Sequence, residues 1–163
     1  MVECDGHMTL NGLVLVAAAV ATGLQAGTYY TWASGVMPGL ARVDDRTFVH
    51  AMQQMNIAIV NPVFMATFLG APILAAAAVA TTSSLARPWV IGGLAFAVAT
   101  VVITAAGNMP LNNAIDAAGD VDRIADLAAV RADFESSWVR WNIVRAVTST
   151  ASLAALGWAA LRS

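Results

Sequence analysis

The sequence predicts an all-α membrane protein, a four-helix transmembrane bundle with a short amphipathic helix between the third and fourth spans. Hydrophobic residues make up 59% of the 163 residues and charged residues only 11%, whereas an average soluble domain carries about 25% charge. The charged residues leave long apolar stretches between them, without the alternation typical of strands and without a convincing repeat. A soluble chain of this length could not bury so much apolar surface. We therefore expect one integral membrane domain over residues 1–163.

The position of each span follows from the length of helix that crosses a bilayer, about 20 residues. The first span is predicted at 10–37, where no charged residue occurs. The uncharged stretch 47–86 is too long for one crossing, so the second span is placed at 57–80 and the polar residues before it in the headgroup region. The third is predicted at 89–106 and the fourth at 138–161. An acidic N-terminus disfavours a cleaved signal peptide.

The segment between the third and fourth spans is polar. Residues 108–135 contain six acids and two arginines, and apolar residues recur at helical spacing over 121–134. That spacing predicts the short amphipathic helix. Before it, three asparagines surround Pro110 in the run 108–113, which is typical of a turn. These amides could alternatively orient a polar aromatic ligand at the membrane face.

Charge also orients the chain and limits its partners. With the N-terminus outside, the cytoplasmic loops hold five arginines and the other side holds two, as the positive-inside rule favours. We expect a bacterial cytoplasmic membrane, with lipids as neighbours and no nucleic-acid partner, because the net charge is −2. Abundant Ala and Gly permit close helix packing and a homo-oligomer. One cysteine, Cys4, and two histidines, His7 and His50, are too few for the usual protein-only zinc site.

Polar side chains inside the last span indicate a functional face. Trp138 is three and four residues before Trp141 and Asn142, these are four and three residues before Arg145, and all of them share one side of the helix. A charged side chain in mid-bilayer costs at least about 2.5–3.5 kcal/mol on insertion scales. Two interpretations of Arg145 are open: an interfacial anchor among belt tryptophans, or a cation that faces the bundle interior and binds an anion.

The first span carries a matching polar face, made by Gln25, Tyr29 and Trp32. These side chains could be packing contacts or the wall of a pocket. Further polar residues lie on one side of the stretch before and within the second span: His50, Gln53 and Asn61. Asn56 points elsewhere by about 120°. His50 can change charge near neutral pH, but a histidine near an interface is more often structural or exposed than catalytic.

Five segments occur in an order that is informative as a set. They are GTYYTWASGVMPGL at 27–40, AMQQMN at 51–56, NPVF at 61–64, NMPLN at 108–112 and WVRWNIVR at 138–145. Together they resemble the anthrone oxygenase-like family of small integral membrane proteins. The resemblance implies a four-helix membrane oxidoreductase, a monooxygenase of aromatic polyketide pathways that oxidises an anthrone or another electron-rich phenolic aromatic to an anthraquinone-type product. It implies dioxygen as the oxidant and no organic cofactor.

Such chemistry needs a base, a partner for the substrate oxyanion and a dry aromatic pocket. With the resemblance, we assign His50 as the candidate base and Arg145 as the oxyanion partner, without a metal. The candidate orienting and ring-stacking residues are Gln53, Asn56, Asn61, Asn108, Asn112 and Asn142, with Tyr29, Trp32, Trp138 and Trp141. Two rival classes stay open: a metal-dependent membrane oxidase, and a non-enzymatic membrane protein that binds a quinone or lipid-like ligand.

Overall fold

The computed structural model describes residues 10–82 and 85–162, and the regular elements in that part of the chain are helices. They form five continuous helices there: α1 (Leu10–Leu40), α2 (Asp45–Ile59), α3 (Pro62–Thr81), α4 (Arg87–Ala117) and α5 (Leu127–Ala160). All except α2 are long and apolar enough to cross a membrane. The predicted all-α class with four membrane-spanning helices is confirmed.

The four long helices form a ring in which α1 packs against α3 and α5, and α4 packs against the same two helices. Small side chains allow this close packing at the end of the bundle where α1 begins. The core there contains Leu15, Ala18, Ala75, Ala78, Ala86, Val90, Leu156 and Ala159. At the same end, the Ser152 hydroxyl donates a hydrogen bond of 2.7 Å to the Gly93 carbonyl and joins α4 to α5.

Three of the spanning helices are longer than a bilayer requires. Helices α1, α4 and α5 have 31, 31 and 34 residues, which corresponds to about 46–51 Å of helix against about 30 Å of hydrocarbon. Because successive spans reverse direction, the ends of α1 and α4 and the start of α5 extend on the same side. Helix α2 packs against these extensions, around Met37, Phe48, Val49, Met52, Ile115, Val121, Phe134 and Trp138. We call this second core, together with α2, the cap.

The cap explains two differences from the sequence-based expectation. Instead of a separate amphipathic helix at 121–134, residue Leu127 begins a helix that continues without a break into the last span. Its first turns bury Phe134 in the cap core, which is why an amphipathic pattern occurs there. The amphipathic helix between spans is α2, which ends at a sharp bend before Asn61.

Both α1 and α4 contain a π-helical segment, at Trp32–Val36 and Thr104–Asn108. In each case the backbone N–H of the methionine that follows donates to the carbonyl of the first residue of the segment. The two sites share the pattern x-Ala-x-Gly-x-Met-Pro, at 32–38 and 104–110, so the chain does contain a short repeat. The wide π turn makes room for a proline ring that would collide with an ordinary helical turn.

This geometry corrects the turn predicted at 108–113. Pro110 lies within the first two positions of the α-helical segment Met109–Ala117, and the helix continues through it. The prediction relied on the usual tendency of proline and asparagine to end helices. It was wrong because the preceding π segment removes the steric conflict that makes an internal proline unfavourable.

Candidate functional site

A cavity of 260 Å³ lies where the membrane bundle meets the cap, and all five helices contribute to its wall. Trp32 and Thr104, the first residues of the two π segments, both line it. One wall is apolar, with Phe64 and Phe68 stacked at 5.7 Å between ring centroids. The lining residue Val60, at the bend between α2 and α3, is 72% exposed and marks the mouth. Distorted π turns recur at functional sites, and this volume is near the lower end of the about 300–1,000 Å³ typical of ligand pockets.

Arg145 lies on the opposite, polar wall and is only 7% exposed. Its guanidinium carbon is 4.5 Å from the ring centroid of Tyr29 and 5.4 Å from that of Trp138. One terminal nitrogen donates to the Asn142 side-chain oxygen at 3.0 Å, and the buried Nε has no partner. Within residues 10–82 and 85–162, no carboxylate forms an ion pair with it. The side chain therefore faces the bundle interior, and its charge is left open to an anion.

Asn142 fixes the position of this cation. It is fully buried, and its amide nitrogen donates to the backbone carbonyl of Tyr29 at 3.1 Å while its oxygen accepts from Arg145. The amide thus joins α5 to α1 and orients the guanidinium, although it does not line the cavity. Its contribution to the site acts through Arg145.

Tyr29 is held by a chain of hydrogen bonds between α1 and α3. Its hydroxyl donates to the Gln25 side-chain oxygen at 2.8 Å, and the Gln25 amide nitrogen donates to the Thr67 hydroxyl at 2.6 Å. The Thr67 hydroxyl in turn donates to the Phe64 carbonyl at 2.9 Å. Gln25 is buried and does not line this cavity. Gln25 therefore positions Tyr29, and Tyr29 lines the cavity.

Two asparagines and a pair of indoles complete the cap side of the cavity. The Asn112 side-chain oxygen accepts a 2.8 Å hydrogen bond from the indole N–H of Trp138. Asn56 lies opposite, with its amide nitrogen 3.3 Å from an oxygen of Asp116. The rings of Trp32 and Trp138 lie 5.1 Å apart at a tilt of 52°. These contacts fix the orientation of the aromatic surface that a flat ligand would meet.

Comparison with known proteins identifies the family of the chain. A family model described as anthrone oxygenase matches residues 52–155, well over half of the chain. The chain belongs to the anthrone oxygenase family. No curated protein and no solved structure matches it. The matched region includes the cavity residues of α2, α3, α4 and α5, among them Arg145, whereas Tyr29 and Trp32 precede it.

The structure does not bring His50 to the cavity of this anthrone oxygenase family member. His50 is exposed and lines a separate surface depression, next to the Arg46–Asp122 ion pair. Six residues separate His50 from Asn56, so their side chains point about 120° apart on α2. Because Asn56 faces the cavity, His50 cannot, and it is not placed to act as a base on a ligand held there.

Four other predicted site residues also lie outside the cavity wall and have structural contacts. Gln53 donates two hydrogen bonds of 2.9 Å to the carbonyls of Ile115 and Gly119. Asn61 caps α3 by accepting a hydrogen bond from the Phe64 N–H at 3.0 Å. Asn108 donates to the Trp138 carbonyl at 3.4 Å. The half-exposed ring of Trp141 packs over Gly107. Each stabilises an element that borders the cavity.

The donor set bears on the metal-dependent alternative. Within residues 10–82 and 85–162, no carboxylate, imidazole or thiol lines the cavity, and no group of three His, Cys, Asp or Glu side chains could hold a metal ion. Cys4 and His7 lie outside the described residues. The cavity walls therefore offer hydroxyl, amide and guanidinium groups and aromatic faces.

Several cavity residues were missed in the sequence. The aromatic pair Phe64 and Phe68 belongs to the apolar wall, and so does Met65 between them. Their spacing of four residues places both rings on one side of α3, but α3 is apolar all round, so the sequence does not tell that side from the lipid-facing one. Thr28 and Thr104 were missed because a lone threonine in a membrane helix usually bonds to its own backbone.

Proposed function

We propose that this member of the anthrone oxygenase family oxidises an anthrone-like, electron-rich phenolic aromatic to a quinone with dioxygen, and holds the substrate as its anion against Arg145. The observation that carries the proposal is the buried Arg145 guanidinium on the cavity wall, without a carboxylate partner among the described residues. With the N-terminus outside, the cap and the cavity lie on the cytoplasmic side.

An anionic substrate follows from the electrostatics of the cavity. A charge in a low-dielectric site interacts far more strongly than in water, so a bound oxyanion would supply the counter-charge that Arg145 lacks. Binding then favours the deprotonated form of a weakly acidic anthrone. Since none of the described residues that line the cavity carries a carboxylate or an imidazole, we expect the proton to leave to water or buffer rather than to a protein base.

The deprotonated substrate can reduce dioxygen itself. The anion transfers one electron to dioxygen, and the resulting carbon radical and superoxide combine at the ring carbon opposite the carbonyl. The peroxide anion formed there takes back one proton from water or buffer, and the resulting hydroperoxide loses water, which leaves the second carbonyl. One anthrone and one dioxygen give one quinone and one water, so the substrate supplies all the electrons and no reductant is consumed.

The shape of the cavity supports a flat, apolar substrate. The stacked rings of Phe64 and Phe68 and the tilted pair Trp32 and Trp138 offer aromatic contacts at both sides. The exposed apolar residue at the mouth, Val60, borders the side from which a membrane-dissolved aromatic would enter. Excluding water from such a site strengthens the interaction between Arg145 and the oxyanion.

The decisive experiment measures quinone formation and oxygen uptake by the purified protein in lipid. Arg145→Met removes the charge and retains most of the length, and its turnover is expected to fall by about 100-fold or more, the size of a lost electrostatic contact to an oxyanion. Arg140→Met is the matched control, because Arg140 is exposed on the same helix, does not line the cavity and donates a hydrogen bond to the Ser137 hydroxyl. Wild-type turnover by a folded Arg145→Met variant would overturn the proposal.

Two further measurements separate the rival classes. His50→Ala is expected to keep its turnover, and the protein is expected to form quinone after treatment with a chelator. Loss of activity on chelation that a divalent metal restores would favour a metal-dependent oxidase. Tight binding of a quinone without any oxygen uptake would favour a non-enzymatic binding protein.

A further inference from the structure

We infer that Tyr29 is a specificity-determining residue, whose phenol oxygen accepts a hydrogen bond from a hydroxyl that the substrate carries next to its oxyanion. The inference rests on the proposed function, because it concerns a ligand held by Arg145. It comes from the direction of the hydrogen bonds around the cavity. A hydroxyl has one proton and two lone pairs, so a hydroxyl whose proton is engaged elsewhere can only accept from a ligand.

Two threonines on the cavity wall have their protons engaged. Thr28 donates to the Leu24 carbonyl at 2.8 Å, and Thr104 donates to the Thr100 carbonyl at 2.8 Å. Both bonds are the usual contact between a threonine and the preceding turn of its own helix. Thr28 therefore presents an acceptor oxygen towards the cavity, and the Thr104 oxygen lies next to the Tyr29 hydroxyl.

The hydroxyl proton of Tyr29 is held by a chain of hydrogen bonds whose directions fix one another. Thr67 donates its own proton to the Phe64 carbonyl, so towards Gln25 it acts as an acceptor, and the Gln25 amide nitrogen donates to it. Gln25 must then turn its oxygen to Tyr29, whose hydroxyl donates to that oxygen. Gln25 and Tyr29 are both buried, and a buried polar atom left without a hydrogen-bond partner is unfavourable. The Thr104 hydroxyl is a further hydrogen-bond neighbour of the phenol oxygen, so the chain directs the phenol proton to Gln25 and leaves one lone pair of the oxygen for a ligand.

The cation lies over the ring that carries the acceptor oxygen. The guanidinium carbon of Arg145 is 4.5 Å from the centroid of the Tyr29 ring. A complementary ligand has an oxyanion for Arg145 and, beside it, a hydroxyl that donates to Tyr29. A methyl ether at that position would place an acceptor against an acceptor, so the site should select against it.

The test measures ligand binding in the absence of oxygen, so that no turnover occurs. Binding is monitored by the quenching of tryptophan fluorescence. The probes are an anthrone with a hydroxyl beside its carbonyl and the corresponding methyl ether. Wild type is expected to bind the hydroxyl compound about fivefold more tightly, the equivalent of one hydrogen bond of about 1 kcal/mol. In Tyr29→Phe this ratio is expected to fall to within about twofold. Tyr30→Phe is the matched control, since Tyr30 is 65% exposed and should keep the wild-type ratio.

Gln25 provides a second readout that a merely structural role would not give. In Gln25→Leu the phenol loses its acceptor and its proton becomes available to the ligand, so the preference should move towards the methyl ether. If that variant does not fold, Gln25→Glu keeps an acceptor for Tyr29 and should preserve the preference for the hydroxyl compound. A preference that persists unchanged in Tyr29→Phe, or that is absent from wild type, overturns the inference.

The inference and the proposed function can fail separately. Wild-type turnover in Arg145→Met, together with loss of the ligand preference in Tyr29→Phe, would remove the proposed function and leave the role of Tyr29. Loss of turnover in Arg145→Met with an unchanged preference in Tyr29→Phe would remove only the inference about Tyr29.

Discussion

Gly93 of α4 provides a sharp test of the packing between the helices. A β-carbon added there would lie 2.7 Å and 2.8 Å from two side-chain carbons of Leu156 and 3.4 Å from the Ser152 carbonyl oxygen. The neighbouring Gly92 has nothing within 4 Å of the same added atom. Gly93→Ala is therefore expected to destabilise the bundle, and Gly92→Ala is the matched control on the same helix.

The size of the effect follows from two opposing terms. Alanine favours a helix over glycine by about 1 kcal/mol at both positions, so that gain cancels when the two variants are compared. Overpacking a well-filled core costs about 1–3 kcal/mol. Leu156 is fully buried, and the Ser152 hydroxyl bonds to the Gly93 carbonyl, so α5 cannot move away without breaking that bond. The two variants should differ by about 1–3 kcal/mol, or roughly 5- to 150-fold in the unfolding equilibrium.

The free energy of unfolding can be measured by reversible denaturation in mixed micelles. Trp89 and Trp158, 6.0 Å apart between ring centroids, report on the α4–α5 contact by fluorescence. Replacing Leu156 by Ala should destabilise the wild-type chain more than it destabilises Gly93→Ala, because the smaller residue relieves the collision. Equal unfolding free energies for Gly92→Ala and Gly93→Ala would refute the close contact.

Three further predictions concern the cap. Hydrogen bonds from the Thr47 hydroxyl and backbone N–H hold the pKa of the Asp44 carboxyl below its ordinary value of 3.8. The Asp44 carboxylate therefore stabilises α2 at pH values above 3.8, and this stabilisation is lost as the pH falls through the lowered pKa. The loss of helicity in acid, measured by circular dichroism, should accordingly be smaller in Asp44→Asn. Asn112→Ala leaves the indole N–H of Trp138 unpaired and should cost about 1–3 kcal/mol, with a shift in tryptophan emission; unchanged emission would contradict that contact. Arg131→Met removes donors to the Val43 carbonyl and to two carboxylates, and should lower the unfolding free energy by about 1.5–3 kcal/mol or more; an unchanged value would contradict it.

The fold class could be predicted from composition because few folds accommodate so many apolar residues in so short a chain. The course of the helices beyond the bilayer could not be predicted from composition. Pro38 and Pro110 are both signals for a helix end in a soluble protein, yet both helices continue because a π segment precedes each proline. The informative signal was the shared Gly-x-Met-Pro pattern, which has meaning only when its two occurrences are compared.

The candidate site, like the fold, could be predicted from the sequence only in part. Helical periodicity predicted which residues share a face, and the faces of α1 and α5 that carry Tyr29 and Arg145 do meet at the cavity. The sequence could not tell which face of α2 would turn inward, because that rotation is set by long-range contacts. Gln53 holds α2 to the end of α4 through two backbone carbonyls, and this contact directs Asn56 to the cavity and His50 to the surface.

Two arginines on one face of α5 show how local contacts separate a structural from a functional charge. Arg131 and Arg145 lie about four helical turns apart, and Arg131 is 14% exposed, bonded to Asp45, Glu135 and backbone carbonyls. Arg145 has two aromatic faces, one amide oxygen and an unpaired Nε. Replacing a poorly compensated buried charge by an apolar side chain is often neutral or stabilising. Arg145→Met should therefore keep the unfolding free energy or raise it while turnover falls. A large loss of stability in that variant would instead make Arg145 a second structural arginine.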